Sequence, residues 1–424
     1  MIALRFSEPL IRAAALYLPI TITAVLAVYR RPGLARMAGA VLATSWNLAG
    51  LLALNVVALR CGWWTFETGS ANVAGVPADL WVGWSLLWGA VPILCGVRRV
   101  VPVVIALIAA DLVLMPLGEP VVRLGGLWLI GEAVALTTCL LPGMMVGRWT
   151  ESDTHLGARV VMQVLNFVGL FYFMLPCLIF TVTGEGWGEL LGRARWQIVL
   201  VAVLAAPVAA MAIQAVREFA IHGGTPVPLD PPKRLVTTGP YAYVANPMQL
   251  SGTILLAMWA ALLGSVTVLL AAVMGCAFSA GFAAWNEDSD LRSRFGEDWQ
   301  RYRRDVPLWV PRWRPAVSSP AVIYVAQSCV PCSEIGRFLK HRPTVGLDVC
   351  CAEERSEEIR RVTYLQHERP STGLAAICRS LEHINLGWAI AGWVGRIPGI
   401  QQVLQLVADT VGGGPRSVPQ RGIS

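Results

Sequence analysis

Charged residues are scarce in this chain of 424 residues, at 14% against about 25% in ordinary soluble proteins. Lysine is almost missing, since Lys233 and Lys340 are its only examples, and arginine carries nearly all of the net charge of +7. This scarcity argues against one large soluble core. The arginines lie between apolar runs, where they orient helices and meet anionic headgroups, so the positive charge does not indicate nucleic-acid binding.

The sequence also lacks internal repeats and low-complexity tracts, apart from a Gly- and Pro-rich end after Val411 that we expect to be disordered. A cleavable signal peptide is not expected either, because the first apolar run has no small-residue cleavage site and more runs follow it. Hydrophobic residues, by contrast, make up 55% of the chain, and the mean hydropathy is +0.57. Charges are thin up to about Asp230 and dense after Asn286, which predicts a polytopic membrane protein with a polar C-terminal part.

Nine apolar runs have roughly the 20 residues that a helix needs to cross a bilayer. They are residues 13–29, 37–58, 80–97, 100–117, 124–147, 160–183, 197–216, 248–264 and 266–285. The loops after the odd-numbered runs are richer in arginine than the others. The positive-inside rule then places these loops and the C-terminal part in the cytoplasm and the N-terminus outside, in what we expect to be a bacterial inner membrane.

The connection between the last two runs, at Gly264 and Ser265, is very short, which predicts a tight antiparallel hairpin. The segment before the hairpin, GPYAYVANPMQLSG (239–252), and the segment after it, WNEDSDLRSRFGEDWQRYRRDVPLWVP (285–311), then meet at one membrane face. In the first segment, Asn246-Pro247 suits the N-cap and the first turn of a helix.

Glu287 and Asp288 follow the ninth run, and we expect them at the C-terminal end of its helix. Carboxylates there oppose the helix dipole unless a cation meets them. The cation is either an arginine of the same segment or the ammonium group of a ligand, whose ribose hydroxyls the carboxylates could also bind. The competing interpretation is a salt-bridged interfacial helix anchored by Trp285, Trp299 and Trp309.

Together the two segments resemble the membrane methyltransferases related to isoprenylcysteine carboxyl methyltransferase and phospholipid N-methyltransferase, over about residues 197–311. The usual family pattern is G-P-Y-x-x-x-R-[HN]-P-x-Y, then E-E-x-x-L-x-x-x-F-G-x-x-Y-x-x-Y-x-x-x-V-P. The matching residues are Gly239, Pro240, Tyr241, Asn246, Pro247, Glu287, Leu291, Phe295, Gly296, Tyr302, Val306, Pro307 and Pro311. The resemblance implies S-adenosylmethionine at the cytoplasmic mouth of the last helices. It also implies a lipophilic acceptor that arrives from the bilayer with a thiol, carboxyl, amine or hydroxyl group.

The resemblance further assigns residues to this cofactor. Asn246 and Glu287 would fix it, while Tyr241 or Tyr243 would pack near its sulfonium by a cation–π contact. The full candidate set is Gly239, Pro240, Tyr241, Tyr243, Asn246, Pro247, Glu287, Asp288 and Tyr302. Because relatives of this fold include sterol reductases that use a nicotinamide cofactor, the fold alone does not fix the reaction.

The chain departs from the family pattern at positions that bear on the cofactor. Ala245 stands where the family has an arginine, and Gln249 stands where it has a tyrosine. Asp288 and Trp299 replace a glutamate and a tyrosine. The missing arginine removes a contact to the cofactor carboxylate or the acceptor, and Lys233 or Arg234 is the expected substitute.

The segment AVIYVAQSCVPCSEIGRFLKHR (321–342) predicts a strand, a C-x-x-C pair and a helix. A helix N-terminus stabilises a thiolate, so Cys329 is the expected attacking thiol and Cys329 with Cys332 the expected redox pair. A second strand at VGLDVCCA and helices at about 355–367 and 371–384 fit a small thioredoxin-like α/β domain. A zinc site and an inert pair are the alternatives. Zinc would need two further ligands, whereas Cys350 and Cys351 are adjacent and the histidines are scattered, so we predict no metal.

From about residue 320 to 410 the chain is similar to the DCC thiol-disulfide oxidoreductase family. That family usually begins D-x-x-C-x-x-C, and here Ala326 occupies the aspartate position. The aspartate would normally assist proton transfer at the buried cysteine. The resemblance implies thioredoxin or glutathione as partners.

Two carboxylates, Asp111 and Glu132, lie inside apolar runs of the N-terminal half. Intramembrane acids are costly and point to function. We expect them to be protonated or hydrogen-bonded to each other, to Trp128, or to Thr137 or Thr138. They could shape a polar pocket for a lipid headgroup, or simply pack between helices beneath an aromatic belt.

The predicted fold is therefore a mainly α polytopic membrane protein with about nine transmembrane helices and a C-terminal thioredoxin-like domain. Its predicted parts are an N-terminal helical region (1–195), a methyltransferase-like core (196–314), a linker (315–320), the C-x-x-C domain (321–411) and a tail (412–424). The predicted function is S-adenosylmethionine-dependent methyl transfer with a fused thiol-redox module. The alternatives are a membrane-tethered thiol-disulfide oxidoreductase and a degenerate methyltransferase fold that anchors lipid.

Overall fold

A computed structural model describes residues 7–67, 71–96, 100–227, 231–316, 319–355, 359–366 and 369–416, and the side chains of residues 282–287 and of Arg369 fall outside this description. The chain divides into two compact units. The first unit comprises residues 1–191 and 223–231, and the second comprises residues 192–222 and 232–424.

The first unit is built from apolar helices around α2, whose residues Leu52 and Ala58 are fully buried. The helices are α1 (Glu8–Arg30), α2 (Leu34–Cys61), α3 (Ala78–Trp88), α4 (Ala90–Leu94), α5 (Val100–Leu117), α6 (Trp128–Ala135), α7 (Leu141–Glu151), α8 (Leu156–Val168), α9 (Leu175–Thr183) and, at the end of the unit, α10 (Gly188–Gly192). Short π-helical turns join α6 to α7 and α8 to α9. Two small antiparallel pairs complete the unit: β1 (Trp64–Phe66) with β4 (Val122–Leu124), and β2 (Asn72–Val73) with β3 (Val76–Pro77).

Six helices within the described residues are long and apolar enough to cross a membrane. They are Glu8–Arg30, Leu34–Cys61, Val100–Leu117, Trp128–Glu151, Leu156–Thr183 and Arg195–Ile221. The other three predicted runs form shorter apolar helices at Ala78–Leu94, Pro247–Leu263 and Val266–Gly281. A helical membrane protein is thus confirmed, while the count of nine crossings and their orientation stay predictions.

The second unit begins with four helices: α11 (Arg195–Ile221), α12 (Pro247–Leu263), α13 (Val266–Phe278) and α14 (Ala284–Asp305). The predicted hairpin between α12 and α13 is confirmed. Gly264 ends α12 in the left-handed conformation with φ of 66°, which glycine adopts without strain. Ser265 then caps α13, because its side-chain oxygen accepts a hydrogen bond from the Val268 amide at 3.0 Å.

The helix after the hairpin does not end where the apolar run ends. A π-helical turn (Ser279–Ala283) carries α13 directly into α14, which continues to Asp305 with a kink at Gly296 (φ 52°, ψ −120°). The expectation that Glu287 and Asp288 lie at a helix C-terminus is therefore wrong. Backbone hydrogen bonding continues through polar residues as readily as through apolar ones, and the kink lies at Gly296, whose backbone is non-helical.

The C-terminal part contains a four-stranded sheet and four helices. Its elements are β5 (Ala321–Val325), α15 (Val330–Lys340), β6 (Leu347–Cys351), β7 (Thr363–Gln366), β8 (Arg369–Thr372), α16 (Leu374–Leu381), α17 (Leu386–Gly395) and α18 (Ile400–Ala408). The strand order is β6-β5-β7-β8, with β5 and β6 parallel and the other pairs antiparallel. The predicted strand, C-x-x-C, helix and second strand are confirmed.

The predicted helix at 355–367 is wrong, because its second half is strand β7. Thr363 and Tyr364 are buried there and pair with β5, as β-branched and aromatic residues favour. Pairing across the sheet, which no local pattern reveals, overrides the helical pattern of the preceding charged residues.

The C-terminal part packs against α11 within the second unit. Trp393 of α17 is fully buried in one cluster with Ala210 and Met211 of α11 and with Tyr243. Near the predicted linker, the Ala316 amide donates to the carbonyl oxygen of Ala242 at 2.8 Å. Helix α11 and the segment at Ala242 and Tyr243 thus share a buried cluster with α17 of the C-terminal part.

Candidate functional site

The predicted turn is a single 3₁₀ turn, Gly239–Ala242, held against the end of α11. Gly239 has φ of 61°, and a β-carbon at this position would lie 2.9 Å from Cγ of Glu218. Only glycine satisfies both the left-handed backbone and this close approach. The Gly-Pro-Tyr sequence is therefore explained by packing against Glu218.

Tyr241 is buried by α11 and held by α14. Its ring stacks on Phe219 with centroids 5.3 Å apart and an interplanar angle of 26°. The Tyr302 hydroxyl, from α14, donates to the Tyr241 carbonyl oxygen at 2.9 Å. The two halves of the sequence motif, 61 residues apart, are thus joined directly.

A second junction follows at the Asn-Pro corner. The Ala245 amide donates to the Pro307 carbonyl at 2.9 Å, and the Asn246 amide donates to the Leu308 carbonyl at 3.3 Å. The Ala245 side chain is buried against Trp299 and neighbouring apolar residues. An arginine at this position would have to displace these packed neighbours. Lys233 and Arg234, its expected substitutes, are exposed.

Three polar atoms at this corner are buried without a hydrogen-bond partner among the described residues. They are the Asn246 amide nitrogen Nδ2, the Gln249 amide oxygen Oε1 and the Trp309 indole nitrogen Nε1. Asn246 occupies the N-cap of α12 as predicted, but its side chain makes no capping bond. Buried polar atoms are normally paired, so the two donors and one acceptor at this corner are unsatisfied polar groups that call for an explanation. Sequence analysis missed Gln249 and Trp309 as site residues, although Gln249 was visible as a departure from the family pattern.

Tyr243 points away from this corner. Its hydroxyl donates to the Glu382 carbonyl oxygen at 2.7 Å, and its ring meets Trp393 edge-on at 5.7 Å. Burial raises the pKa of Tyr243 above its ordinary value. The structure therefore places Tyr243 in the interior beside α17, and not with Asn246.

The acidic segment is only partly described. Asp288 forms an ion pair with Arg292 at 2.8 Å and accepts a hydrogen bond from the Trp299 indole at 2.8 Å. Arg292 was among the cations expected to meet these carboxylates. The side chain of Glu287 lies outside the described residues, so its predicted role as a cofactor ligand stays a prediction.

Glu218 is a buried charge beneath the turn that sequence analysis missed. It is 2% exposed and accepts a hydrogen bond from the Thr238 hydroxyl at 2.7 Å. Its other oxygen forms an ion pair with Arg379 of α16 at 2.6 Å. Arg396 lies 3.9 Å from Glu218 and 2.6 Å from Glu382. In the sequence, this buried site is indicated only by an acidic residue that lies three residues before the end of an apolar helix of 27 residues.

The C-x-x-C pair begins α15. Cys329 is the N-cap residue and its carbonyl accepts from the Ser333 amide at 2.8 Å. Both cysteines line a mainly apolar cavity of about 210 Å³, whose wall includes Leu374, Ile377 and Arg416. Burial, reinforced by the neighbouring Cys329, raises the pKa of Cys332 to about 12. Cys332 is therefore a thiol at neutral pH.

An acid does lie beside the Cys329 loop, although position 326 is alanine. One oxygen of Glu353 accepts from both the amide and the hydroxyl of Ser328 at 2.9 Å, and the other accepts from the Cys351 thiol at 2.8 Å. Burial opposes ionisation, but these hydrogen bonds outweigh it and hold the pKa of Glu353 at about 2. The turn after β6 thus places a carboxylate next to Ser328, the residue before Cys329.

Comparison with known protein families gives a match for part of the second unit. Residues 196–298 match the family model for phospholipid methyltransferase. No curated protein and no solved structure matches the chain. The matched segment contains α11, the Gly-Pro-Tyr turn, the Asn-Pro corner, the hairpin and most of α14. With its apolar helices, this segment is similar to phospholipid methyltransferases, which supports an integral membrane methyltransferase.

Proposed function

We propose that the chain is an integral membrane methyltransferase that uses S-adenosylmethionine and acts on a lipophilic acceptor. One observation carries the proposal: the corner joined from both halves of the motif holds buried, unpaired polar atoms on Asn246, Gln249 and Trp309. The match of residues 196–298 to phospholipid methyltransferases supports the same reaction class.

The residues at the corner fit such a cofactor. Asn246 and Gln249 would hydrogen-bond its polar groups, while the proposed roles of Glu287 and Asp288 are to meet its ammonium group or ribose. Gly239, Pro240, Tyr241, Pro247 and Tyr302 would hold the corner in shape. When bound, S-adenosylmethionine supplies a methyl group activated by its sulfonium. The protein would orient it towards the acceptor and exclude water.

Binding of S-adenosylmethionine to the purified full chain in detergent, measured by calorimetry, tests this proposal. We expect saturable binding. Asn246→Ala and Gln249→Ala should each weaken it about tenfold or more, because each removes a hydrogen bond from a buried polar site. Gln197→Ala is the matched control, since this half-buried glutamine caps the far end of α11.

The outcomes separate the alternatives. Lack of saturable binding would contradict methyl transfer and favour a degenerate fold that anchors lipid. Binding that both alanine variants retain would remove Asn246 and Gln249 from the site. Transfer of radioactive methyl from the cofactor into lipid or small-molecule fractions of the native membrane would then identify the acceptor.

A second function, thiol-disulfide exchange, is favoured by the cavity at Cys329 and Cys332 and by Glu353 beside their loop. The strand order of the sheet agrees with a thioredoxin-like arrangement. In the proposed exchange, the Cys329 thiolate attacks a partner disulfide and one partner thiolate leaves. Cys332 then loses its proton, closes the Cys329–Cys332 bond and releases the second thiolate. The partner has gained two electrons, and its two thiolates take up the proton of Cys332 and one proton from water.

Cys329→Ser is expected to abolish this exchange, measured with oxidised glutathione or thioredoxin as the disulfide, because the attacking sulfur is gone. Cys350→Ser, on β6, is the matched control and should retain it. Binding of S-adenosylmethionine should survive Cys329→Ser, which separates the two activities. A wild-type pair that stays unreactive towards both disulfides would contradict the redox function.

A further inference from the structure

The cavity at the C-x-x-C pair has a size that suits a small organic molecule. Its volume of about 210 Å³ far exceeds the roughly 10–15 Å³ that a single water molecule needs. It lies below the range of about 300–1,000 Å³ that is usual for pockets of drug-sized ligands. A molecule the size of a short dicarboxylic acid therefore fits inside it, whereas part of a larger molecule would stay outside.

The burial of the attacking cysteine favours such a small molecule over a folded protein. Cys329 is 7% exposed and packs with Ala326, Ala352 and Ile359 in one buried cluster. Both cysteines of the pair line the cavity. Since a thiolate must come into bonding contact with the sulfur that it attacks, a disulfide that can enter the cavity has the easier approach.

The segment that follows α18 forms part of the cavity wall and is held there by hydrogen bonds. Two guanidinium nitrogens of Arg361 donate to the two carboxylate oxygens of Asp409, at 2.6 and 2.9 Å. The Arg416 amide donates to the Arg360 carbonyl oxygen at 2.9 Å. Residues 412–416, which the sequence assigns to the tail, thus contribute to the wall of the cavity.

The charged side chains of the wall are all positive. Among the described residues that line the cavity, none is Asp, Glu, Lys or His, and three are arginines: Arg360, Arg361 and Arg416. The carboxylate of Asp409 balances the charge of Arg361. Cys329 is also the N-cap residue of α15, and the N-terminal end of a helix favours negative charge. An acidic group on a ligand would therefore be attracted to this cavity.

Arg416 is the arginine that the structure places closest to the C-x-x-C loop. A β-carbon at Gly412 would lie 3.4 Å from Nη2 of Arg416 and 4.0 Å from Cγ of Pro331, so this guanidinium lies near the residue between the two cysteines. Arg416 is exposed and forms no ion pair with a described residue. Its charge is thus available to a molecule in the cavity.

We propose that the Cys329–Cys332 pair reduces small organic disulfides that combine a short apolar body with an acidic group. This inference rests on the proposed thiol exchange and names the substrates of the same site. The apolar wall would contact the body of the substrate, and Arg416 would attract its acidic group.

The atoms and electrons of the step balance. The Cys329 thiolate attacks one sulfur of the substrate, and the first acid thiolate leaves. Cys332 loses its proton, attacks the sulfur of Cys329 and releases the second acid thiolate. The pair has lost two electrons to the substrate, and the two thiolates take up the proton of Cys332 and one proton from water.

Single-turnover kinetics with three small disulfides of similar length tests the substrate class. Dithiodipropionate is acidic, bis(hydroxyethyl) disulfide is neutral and cystamine is cationic. The purified full chain is reduced in detergent, and mass spectrometry of quenched samples follows formation of the Cys329–Cys332 bond. Each rate constant is divided by that of mercaptoethanol with the same disulfide, which corrects for intrinsic reactivity. The acidic disulfide should react about tenfold faster than the neutral one, as expected for electrostatic attraction into a cleft, and cystamine should react more slowly still.

Variants assign the preference to the wall of the cavity. Arg416→Glu should remove most of the advantage of dithiodipropionate, because the sign of the charge near the pair is reversed. Arg337→Glu makes the same change at an exposed position of α15 outside the cavity lining and should keep the wild-type order. In the wild-type protein, suberate, which has the length of dithiodipropionate but no sulfur, should inhibit the reaction with a saturable dependence on its concentration.

The outcomes distinguish the substrate class from the exchange itself. Oxidised glutathione is acidic but much larger, so it should react more slowly than dithiodipropionate. Equal corrected rates for the three small disulfides, or a preference that Arg416→Glu leaves unchanged, would overturn the substrate class even though exchange takes place. A reduced pair that reacts with neither glutathione nor any small disulfide would overturn the thiol exchange and this inference with it.

Discussion

Replacing Arg379 by methionine is expected to lower the free energy of unfolding of the second unit by about 3–5 kcal/mol, because a buried ion pair loses one partner. Glu218 is 2% exposed and 2.6 Å from Arg379. After the substitution, the carboxylate keeps the Thr238 hydroxyl and the more distant Arg396 at 3.9 Å. Neither compensates for a buried charge as a close guanidinium does. Chemical denaturation of the full chain in detergent micelles measures the loss.

Two further variants give this prediction its controls. Arg337→Met breaks an exposed pair with Glu334 on α15, and such surface pairs contribute about 0–1 kcal/mol. The double variant Glu218→Gln with Arg379→Met removes both buried charges and should recover much of the loss. If Arg379→Met is no more destabilising than Arg337→Met, the buried network does not hold the turn to α16.

Substitution of Trp393 by alanine is expected to destabilise the second unit by about 3–5 kcal/mol, as truncation of a large buried side chain does. Trp393 is fully buried among Ala210, Met211 and Tyr243. Its removal leaves a cavity between α17 and α11 and takes away the ring against which Tyr243 packs. The same denaturation experiment reports the loss, and weaker binding of S-adenosylmethionine should accompany it because the turn is loosened.

Phenylalanine at the same position discriminates packing from hydrogen bonding. The Trp393 indole nitrogen is buried without a partner among the described residues, so Trp393→Phe loses volume but no hydrogen bond and should cost much less than alanine. Trp313→Ala, at a ring that is 63% exposed, should be nearly neutral. Equal stability of the alanine and phenylalanine variants would show that the ring does not join the two helices.

Local features of the fold could be predicted from the sequence because they depend on neighbouring residues. The hairpin follows from Gly264, which accepts a left-handed backbone, and from Ser265, which caps the next helix. The N-cap position of Asn246 follows in the same way from the proline after it. The end of the ninth helix could not be predicted, since hydrophobicity marks the limit of an apolar face and not the limit of the backbone hydrogen bonds.

Features that depend on distant residues could not be predicted. Glu218 and Arg379 are 161 positions apart, and Tyr243 bonds to a carbonyl 139 positions away. The turn residues therefore looked like ligands of one site, whereas the structure divides them between the Asn246 corner and the contact with α17. Glu353 likewise lies close to Ser328 because β5 and β6 pair in parallel. The sequence around position 326 gives no indication of this contact.

Helix α16 contacts both the cavity at the C-x-x-C pair and the end of helix α11. Within eight residues it gives Leu374 and Ile377 to the wall of the thiol cavity and Arg379 to Glu218. If the polypeptide were divided into two chains between Pro315 and Pro320, the carboxylate of Glu218 would lose its ion pair with Arg379, and Trp393 would be exposed to water. Neither product would retain the buried cluster of α11 and α17 or the ion pair of Glu218 and Arg379, so we expect the two parts of the second unit to be less stable apart than together.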